Sequence, residues 1–316
     1  MVIGDVMIDS YLWGKVERIS PEAPIPIVVL RKRENRMGGA ANVAMNVRAL
    51  GAKPILCSVI GQDAKGDQFI ELLKNENISD TGIVRSNKRL TTTKYRIFGN
   101  SCQMLRVDEE MEDELAETDQ KALLRSIEKI ISKIKIDCII FQDYDKGVIN
   151  SWLINEVVKR ANDLKIPVTV DPKKKNFLAY RNVTLFKPNL KELKDGLNLD
   201  TELSDNQSVI EGAEMLRKKL GCKYILVTMS EKGVLISYKE RKEDVAKFFP
   251  AHLRSISDVS GAGDTVITVA SLCLALERSP YEIAYISNLA GGLVCEEVGV
   301  SPLNKEKLLN ETLQLL

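Results

Sequence analysis

The sequence predicts an α/β protein, a doubly wound and mostly parallel sheet with a small β lid. From Asp137 onward, apolar runs alternate with helical ones: DCIIFQDYDKG, a helix from about Ser151, IPVTVDPKKKNF, VTLFKPNLKEL, a helix through about 207–219, and YILVTMSEKGVLISY. That cadence is the pattern of parallel strands covered by helices on both faces. Two other stretches, about 10–34 and 90–108, alternate apolar and polar residues around prolines or a Gly-Asn pair, as lid strands do. No repeat, low-complexity segment or linker interrupts residues 137–316, so 1–316 reads as one domain with the two lid segments inserted in it.

Taken in order, Val2 to Gly4 is a buried strand that ends in polar Asp5 and Asp9. Ligands gather at the carboxyl ends of parallel strands, so Asp9 is placed to accept hydrogen bonds from a polyol or to serve as a turn residue. YLWGKVERISPEAPIPIVVLRKRENR is broken by proline and reads as short antiparallel strands, the first part of the lid. Gly38 and Gly39 open a helix carrying Val43, Val47 and Leu50 on one face and closing at Gly51; Asn42 lies at its start. Those glycines face a ligand or allow close packing. PILCSVIG is a second core strand, and GQDAKGDQFIELLKNENI a turn and helix. GQDAKGD imitates a phosphate-binding loop but has Asp67 where that motif needs lysine.

TTTKYRIFGNSCQMLRVDEE is a hairpin about Gly99-Asn100, the second part of the lid, and carries Lys94, Arg96 and Arg106. These cations are either a solvated face or a recognition surface for a substrate phosphate. Residues 112–136 read as a charged amphipathic helix. Beyond it each strand ends in a polar set: Asp143 and Lys146, Asp171 and Lys173, Asn189 and Glu192, Thr228 and Ser230. A row of polar strand ends marks one continuous crevice.

DVSGAGDTVITVASLCLALE then runs from a Gly-rich turn straight into an apolar helix. Gly261 and Gly263 let backbone approach a ligand, and the helix start offers N–H groups and positive dipole to a phosphate. Asp264 at that helix mouth is placed to act as a base; an ordinary capped helix opens the same way, and the residues leave both readings open. In YEIAYISNLAGGLVCEEVG, Asn288 lies beside small Ala290, Gly291 and Gly292, a face that admits a flat ring or packs on another helix.

Composition removes several classes. The 45 Lys+Arg and 44 Asp+Glu of the 316 residues leave a net charge of +1, which gives no basic field for nucleic acid. The six cysteines (57, 102, 138, 222, 273 and 295) form no C-x-x-C pair, as expected of a reducing cytoplasm without structural zinc. The longest apolar run, about 266–276, is too short for a bilayer, so a cytoplasmic protein without membrane contact is expected. His252 is the only histidine, so chemistry needing a histidine pair is excluded within the chain, and carboxylates and lysines must carry it.

GGAANVAMNVRALG and DVSGAGDT together resemble the paired signatures of the ribokinase-like (PfkB) carbohydrate kinases. RISPEAPIPIV, QDYDKG and DPKKKNFLAYRNVTLFKPNLKEL are similar to the heptose-7-phosphate kinase subgroup, whose members often carry a second, adenylyltransferase domain. The resemblance covers nearly the whole chain. It implies a ribokinase-like fold, and transfer of the γ-phosphoryl of ATP to the anomeric hydroxyl of D-glycero-D-manno-heptose 7-phosphate, a step toward lipopolysaccharide core. The alternative it leaves is another PfkB kinase, of fructose, ribose, a different phosphosugar or a nucleoside.

Residue by residue, the resemblance makes Asp264 the base and Gly261, Ala262 and Gly263 the anion hole. Asn189, Lys191 and Glu192 fall on its N-x-x-E segment, with Glu192 ordering Mg²⁺ through water. Thr228, Ser230 and Gly233 fall on the nucleotide loop and Asn288 on the adenine side. Asp9, Gly38, Gly39, Asn42 and Asp143 match sugar contacts. Lys94, Arg96, Arg106, Lys146 and Lys173 are candidates for the substrate phosphate, and Asp258 and Ser260 for a monovalent cation such as K⁺. A homodimer through the lid, and a separate adenylyltransferase polypeptide, are also expected.

Overall fold

Apolar runs of a few residues, buried on both faces, supply the strands of the main sheet in a computed structural model that describes residues 1–199, 203, 205–252, 256–297 and 299–315. The chain enters as β1 (Val2–Gly4), passes Asp5 into two long strands, β2 (Val6–Ile19) and β3 (Pro26–Gly39), and continues as α1 (Ala40–Ala49). β4 (Leu56–Gly61), α2 (Ala64–Asn75), β5 (Gly82–Ser86), the hairpin β6 (Thr93–Gly99) and β7 (Cys102–Glu109), and α3 (Glu117–Ile131) follow. Next come β8 (Ile139–Gln142), α4 (Ser151–Asp163), β9 (Val168–Asp171), β10 (Leu185–Phe186), α5 (Leu190–Leu197) and α6 (Asn206–Leu220). The chain closes with β11 (Tyr224–Thr228), β12 (Val234–Glu240), β13 (Glu243–Phe249), α7 (Ala262–Ala275), α8 (Pro280–Val294) and α9 (Lys305–Leu315).

The main sheet has nine strands in the order β13-β12-β11-β10-β9-β8-β1-β4-β5. Pairing is parallel from β5 to β11, and β12 and β13 add an antiparallel edge. Successive strand residues alternate between two cores: Val2, Ile140 and Leu226 pack beneath α1, α7 and α8, whereas Ile3, Phe141 and Val227 pack beneath α3, α4 and α6. A sheet buried on both faces needs apolar residues at every position, which is why these runs show no alternation. Helix starts carry their own signals: Asp63 and Asn150 cap α2 and α4, and capping boxes open α5 (Asn189 with Glu192) and α8 (Ser279 with Glu282).

A second, four-stranded sheet runs β3-β2-β6-β7. It departs from the expected short strands: β2 and β3 are each 14 residues long, and their ladder carries register shifts at Trp13/Gly14 and Val16/Arg18. Pro21 and Pro24 fall in the connecting turn, where no ladder N–H is lost. The hairpin turn is at Asn100 and Ser101, both with positive φ, one residue on from the expected Gly99-Asn100. Asp9 consequently lies on β2 of this sheet rather than at the end of β1.

Paired residues share a face. Asp9, Tyr11, Lys94, Arg96, Arg106 and Asp108 stand on one side, and Leu12, Ile97, Leu105 and Val107 on the other. Helix α3 is shorter than the expected 112–136, because residues 110–115 instead run beside the loop after β8, where Glu110 and Glu112 meet Lys146 and Leu115 N–H reaches the Gly147 carbonyl. No signal in the sequence set β5 and β13 apart as strands.

Candidate active site

Parallel strands deliver their carboxyl ends to one edge, and there the chain gathers polar residues: Gln142 closes β8, Asp171 closes β9, Lys187 follows β10 and Thr228 closes β11. Asn189 bridges to Thr228 and continues the row. Facing it is the start of α7, and between them lies a cleft of about 510 Å³. Gly261 holds the N-cap position with φ 82°, a left-handed conformation that glycine adopts without penalty. An added Cβ there would stand 3.1 Å from Asn42 Nδ2, and one on Gly263 would stand 3.6 Å from Lys187 Nζ and 3.7 Å from Asp171 Oδ2. The turn therefore presents bare backbone to the cleft. Ala262 N–H donates to the Val259 carbonyl, whereas no acceptor among the described residues takes the N–H of Gly263 or Asp264.

Asp264, the third residue of α7, does not cap its helix. Its Oδ2 accepts from Asn42 Nδ2 at 2.7 Å; its Oδ1 accepts from Gln142 Nε2 at 3.0 Å and from the Tyr144 hydroxyl at 2.8 Å. The side chain is buried, and burial pushes its pKa from the ordinary 3.8 up to about 6. The Asn42 and Tyr144 hydrogen bonds and the Lys187 charge oppose that rise, and the nearby Asp171 carboxylate adds to it. Asp171 is itself held by Lys187 Nζ at 3.0 Å and Gln142 Nε2 at 3.2 Å. A desolvated carboxylate with an oxygen lone pair open among the described residues, beside the N–H groups of Gly263 and Asp264 and a buried lysine, can accept a proton next to a forming anion.

The other end of the cleft is lined by Thr228, Ser230, Gly233, His252, Asn288 and the Gly291-Gly292 pair. Gly291 packs so closely on Val266 that an added Cβ would lie 2.7 Å from it. Asn288 Nδ2 donates to the Pro250 carbonyl at 2.8 Å, and His252 meets the Tyr285 ring edge-on. Nearer Asp264, Glu192 accepts from Lys173 Nζ at 2.6 Å and from Asn189 N–H at 2.9 Å. Burial works against the Lys173 charge, but the Asp171 and Glu192 carboxylates prevail and raise its pKa.

Comparison with known proteins decides the family. The model of the pfkB family carbohydrate kinases matches residues 1–307. The chain belongs to the pfkB family. It is 37% identical over 311 residues to the bifunctional protein HldE of Methylobacillus flagellatus, covering 98% of this chain and 62% of that protein. The chain thus spans about three fifths of that relative's length. Its fold is shared with phosphofructokinase-2 of Escherichia coli, solved in complex with potassium and with fructose-6-phosphate. Each has a TM-score of 0.79 at 19% identity, and they cover 98% and 100% of this chain and 97% and 98% of the other. The ribokinase-like α/β architecture expected from the sequence is the one observed.

In this pfkB kinase Asp264, Gly261, Ala262, Gly263, Asn189, Glu192, Thr228, Ser230, Gly233, Asn288 and Lys173 all line the cleft. Lys191 does not; it sits exposed on α5, while the capping box holds Asn189 and Glu192 against each other. Asn42 reaches the site through Asp264. Asp143 does not reach it: its carboxylate is buried against Tyr180, Asn176 and the Asp145 N–H, and burial, with Asp5 nearby, pushes its pKa up to about 6. Gly38 and Gly39 are occupied by packing, for added Cβ atoms would meet Asp9 Oδ2 at 2.3 Å and the Asp5 carbonyl at 2.4 Å.

The five cations expected to hold a phosphate all carry carboxylate partners. Lys94 pairs with Asp108 and Glu110, Arg96 with Asp9, Arg106 with Asp108, Lys146 with Glu110 and Glu112, and Lys173 with Glu192. The acidic run 108–112 folds back onto lysines distant in sequence, which residue type alone does not reveal. Asp258 spends its carboxylate on the N–H groups of Ser260 at 2.9 Å and Gly299 at 3.0 Å, and neither Asp258 nor Ser260 lines the cleft.

Of the side chains that hold Asp264 and Asp171 in place, three were not singled out from sequence: Gln142, Tyr144 and Lys187. Lys187 had a readable signal, a lysine directly after the apolar run VTLF, where a charge is rarely buried without a purpose. Arg36, on the lid, donates to the Val300 carbonyl and lies over the Tyr11 ring, as does Arg96.

Proposed function

We infer that this chain transfers the γ-phosphoryl of ATP to the anomeric hydroxyl of D-glycero-D-manno-heptose 7-phosphate, giving the 1,7-bisphosphate. The observation that carries the reading is the Asp264 carboxylate, released from capping and aimed with three donors at a cleft floored by Gly261–Gly263. Similarity to HldE and the sequence segments of the heptose-7-phosphate kinase subgroup support the substrate. The substrate O–H proton passes to Asp264 as its oxygen bonds to the γ-phosphorus, and the bond from phosphorus to the β–γ bridging oxygen breaks, its electrons leaving on ADP. The N–H groups of the turn and Lys187 meet the charge on the transferring group. Most of the acceleration comes from holding these groups in place.

Among the described residues no group of three or more His, Cys, Asp or Glu side chains is gathered to hold a metal. That suits Mg²⁺, which binds through phosphates and water with one or two carboxylates, and Glu192 at the cleft wall is the residue to meet such waters. When bound, Mg²⁺ neutralises phosphate charge. A monovalent cation at the Asp258–Ser260 turn is part of this proposal; the fold neighbour phosphofructokinase-2 was solved in complex with potassium.

The exposed Leu105 and Val107 make the lid's apolar face the proposed homodimer contact. No described helix is long and apolar enough to cross a membrane.

A second reading, a pfkB kinase of a neutral sugar or nucleoside, is favoured by one observation: each expected phosphate-binding cation already has a carboxylate partner. ADP release with heptose 7-phosphate, fructose 6-phosphate, fructose, ribose and adenosine separates the two. Preference for the heptose phosphate, lost in Asp264→Asn, is expected; preference for fructose, ribose or adenosine selects the second reading.

A further inference from the structure

Asp5 is a fully buried carboxylate that the reaction described above leaves unused. Its side chain gathers the loop after β8: Oδ2 accepts from Tyr144 N–H at 2.8 Å and Lys146 N–H at 3.2 Å, and Oδ1 from Val148 N–H at 3.0 Å. Its backbone holds two further elements. The Asp5 carbonyl accepts from Ala40 N–H at 2.9 Å, at the first turn of α1, and Asp5 N–H donates to the Gln142 carbonyl at 3.2 Å. Those three tethers lead to Tyr144, to α1 with Asn42, and to Gln142. Among the described residues these supply the three side-chain donors to Asp264. The backbones meet so closely that an added Cβ on Gly4 would lie 2.0 Å from the Gln142 carbonyl oxygen, and one on Gly39 2.4 Å from that of Asp5.

We propose that Asp5 is the positioning residue of this site, fixing Asn42, Gln142 and Tyr144 together so that Gln142 and Tyr144 fill Asp264 Oδ1 and the substrate proton is taken on Oδ2. A carboxylate oxygen offers two in-plane acceptor sites, so two donors occupy Oδ1, and Asn42, the one donor to Oδ2 among the described residues, leaves it one place. The inference rests on Asp264 being the base, and that reading fails separately, if Asp264→Asn keeps its turnover.

Among the described residues, the charged and titratable groups facing Asp264 are Tyr144 from the loop after β8, Asp171 from β9, Lys173 after it and Lys187 after β10; Arg89, Asp143 and Tyr180 are those near Asp5. Removing a donor from the carboxylate disfavours its charged form, so loosening this set raises the Asp264 pKa from about 6.

The experiment titrates Asp264 in protein labelled with ¹³C-aspartate, its signal assigned by loss in Asp264→Asn, and needs no sugar. Tyr144→Phe is expected to move the titration upward by about half a unit or more, and Asp5→Asn to move it the same way. In the sugar assay, folded Asp5→Asn is expected to lose about a hundredfold in kcat, the scale of a small misplacement, with the KM for ATP within about twofold of the parent. The two changes act through one arrangement, so the double variant is expected to shift no further than Asp5→Asn. An unmoved titration in Tyr144→Phe overturns the proposal, as does folded Asp5→Asn with unchanged kcat, or shifts that add in the double variant. If Asp5→Asn does not fold, Asp5→Glu takes its place: an Asp264 titration moved upward with a lowered kcat supports the proposal, and both unchanged overturn it.

Discussion

At the scale of single residues, burial makes Asp264 an unusual carboxylate. With its pKa pushed up to about 6, the proposed base is lost on acidification, so kcat/KM is expected to fall below that pH. Asp264→Asn is expected to lower kcat by about two to four orders of magnitude, measured as ADP release. The same shift has a sign for stability. Because the folded pKa exceeds the ordinary 3.8, the fold prefers the protonated acid, and the stability this group contributes is complete below 3.8 and lost as pH rises through about 6. The melting temperature of Asp264→Asn relative to the parent is therefore expected to improve between pH 4 and 7; a difference constant over that range contradicts the burial argument. Lys187 and Asp171 form a buried pair, and breaking one costs roughly 3–5 kcal/mol because the other charge is left stranded. Lys187→Met is expected to lower the melting temperature sharply. The double variant with Asp171→Asn should regain stability without turnover.

At the scale of elements, the start of α7 separates stability from chemistry. Gly263 has an ordinary helical position, and its nearest neighbours to an added Cβ are at 3.6 and 3.7 Å, normal contact distances. Alanine is favoured over glycine in a helix by roughly 0.5–1 kcal/mol. Gly263→Ala is therefore expected to melt no lower than the parent, yet to lose turnover, because its methyl fills the space above Lys187 and Asp171 where the transferring group is proposed to pass. Calorimetry and ADP release on one sample check both halves. Gly261, two positions earlier, is different in kind: its φ of 82° makes any other side chain strained there.

At the scale of the molecule, a chain of ion pairs ties lid to sheet. Arg106, Asp108, Lys94, Glu110, Lys146 and Glu112 are linked in that order, from the lid hairpin to the loop that also carries Tyr144. The Arg106 fork, helped by Lys94 against some burial, holds Asp108 well below the usual carboxylate range. On the lid's other face Leu105 is 55% and Val107 45% exposed. If that face joins two copies as proposed, Leu105→Glu is expected to halve the mass seen by analytical ultracentrifugation while the melting curve is retained; an unchanged mass places the contact elsewhere.

Sequence by itself determined the layered α/β architecture, the Gly-rich turn with Asp264, and the row of polar strand ends. Each is local: apolar runs, turn glycines and helix starts follow from neighbours a few residues away. Tertiary structure alone decided how charges were spent. Whether Lys94 or Lys146 is open to a phosphate depends on acidic residues from 108–112 folding back on them, and an ion pair leaves no periodicity in the chain. The same holds for Asp143, which looked like a strand-end ligand and is buried against Tyr180 37 residues on. Tyr144 and Gln142 became visible only once β8 lay beside β9 and α7 crossed above them, bringing residues 120 and 122 positions apart into hydrogen-bond contact with Asp264. Side-chain chemistry can be read from a sequence, but partners across the fold are chosen by packing.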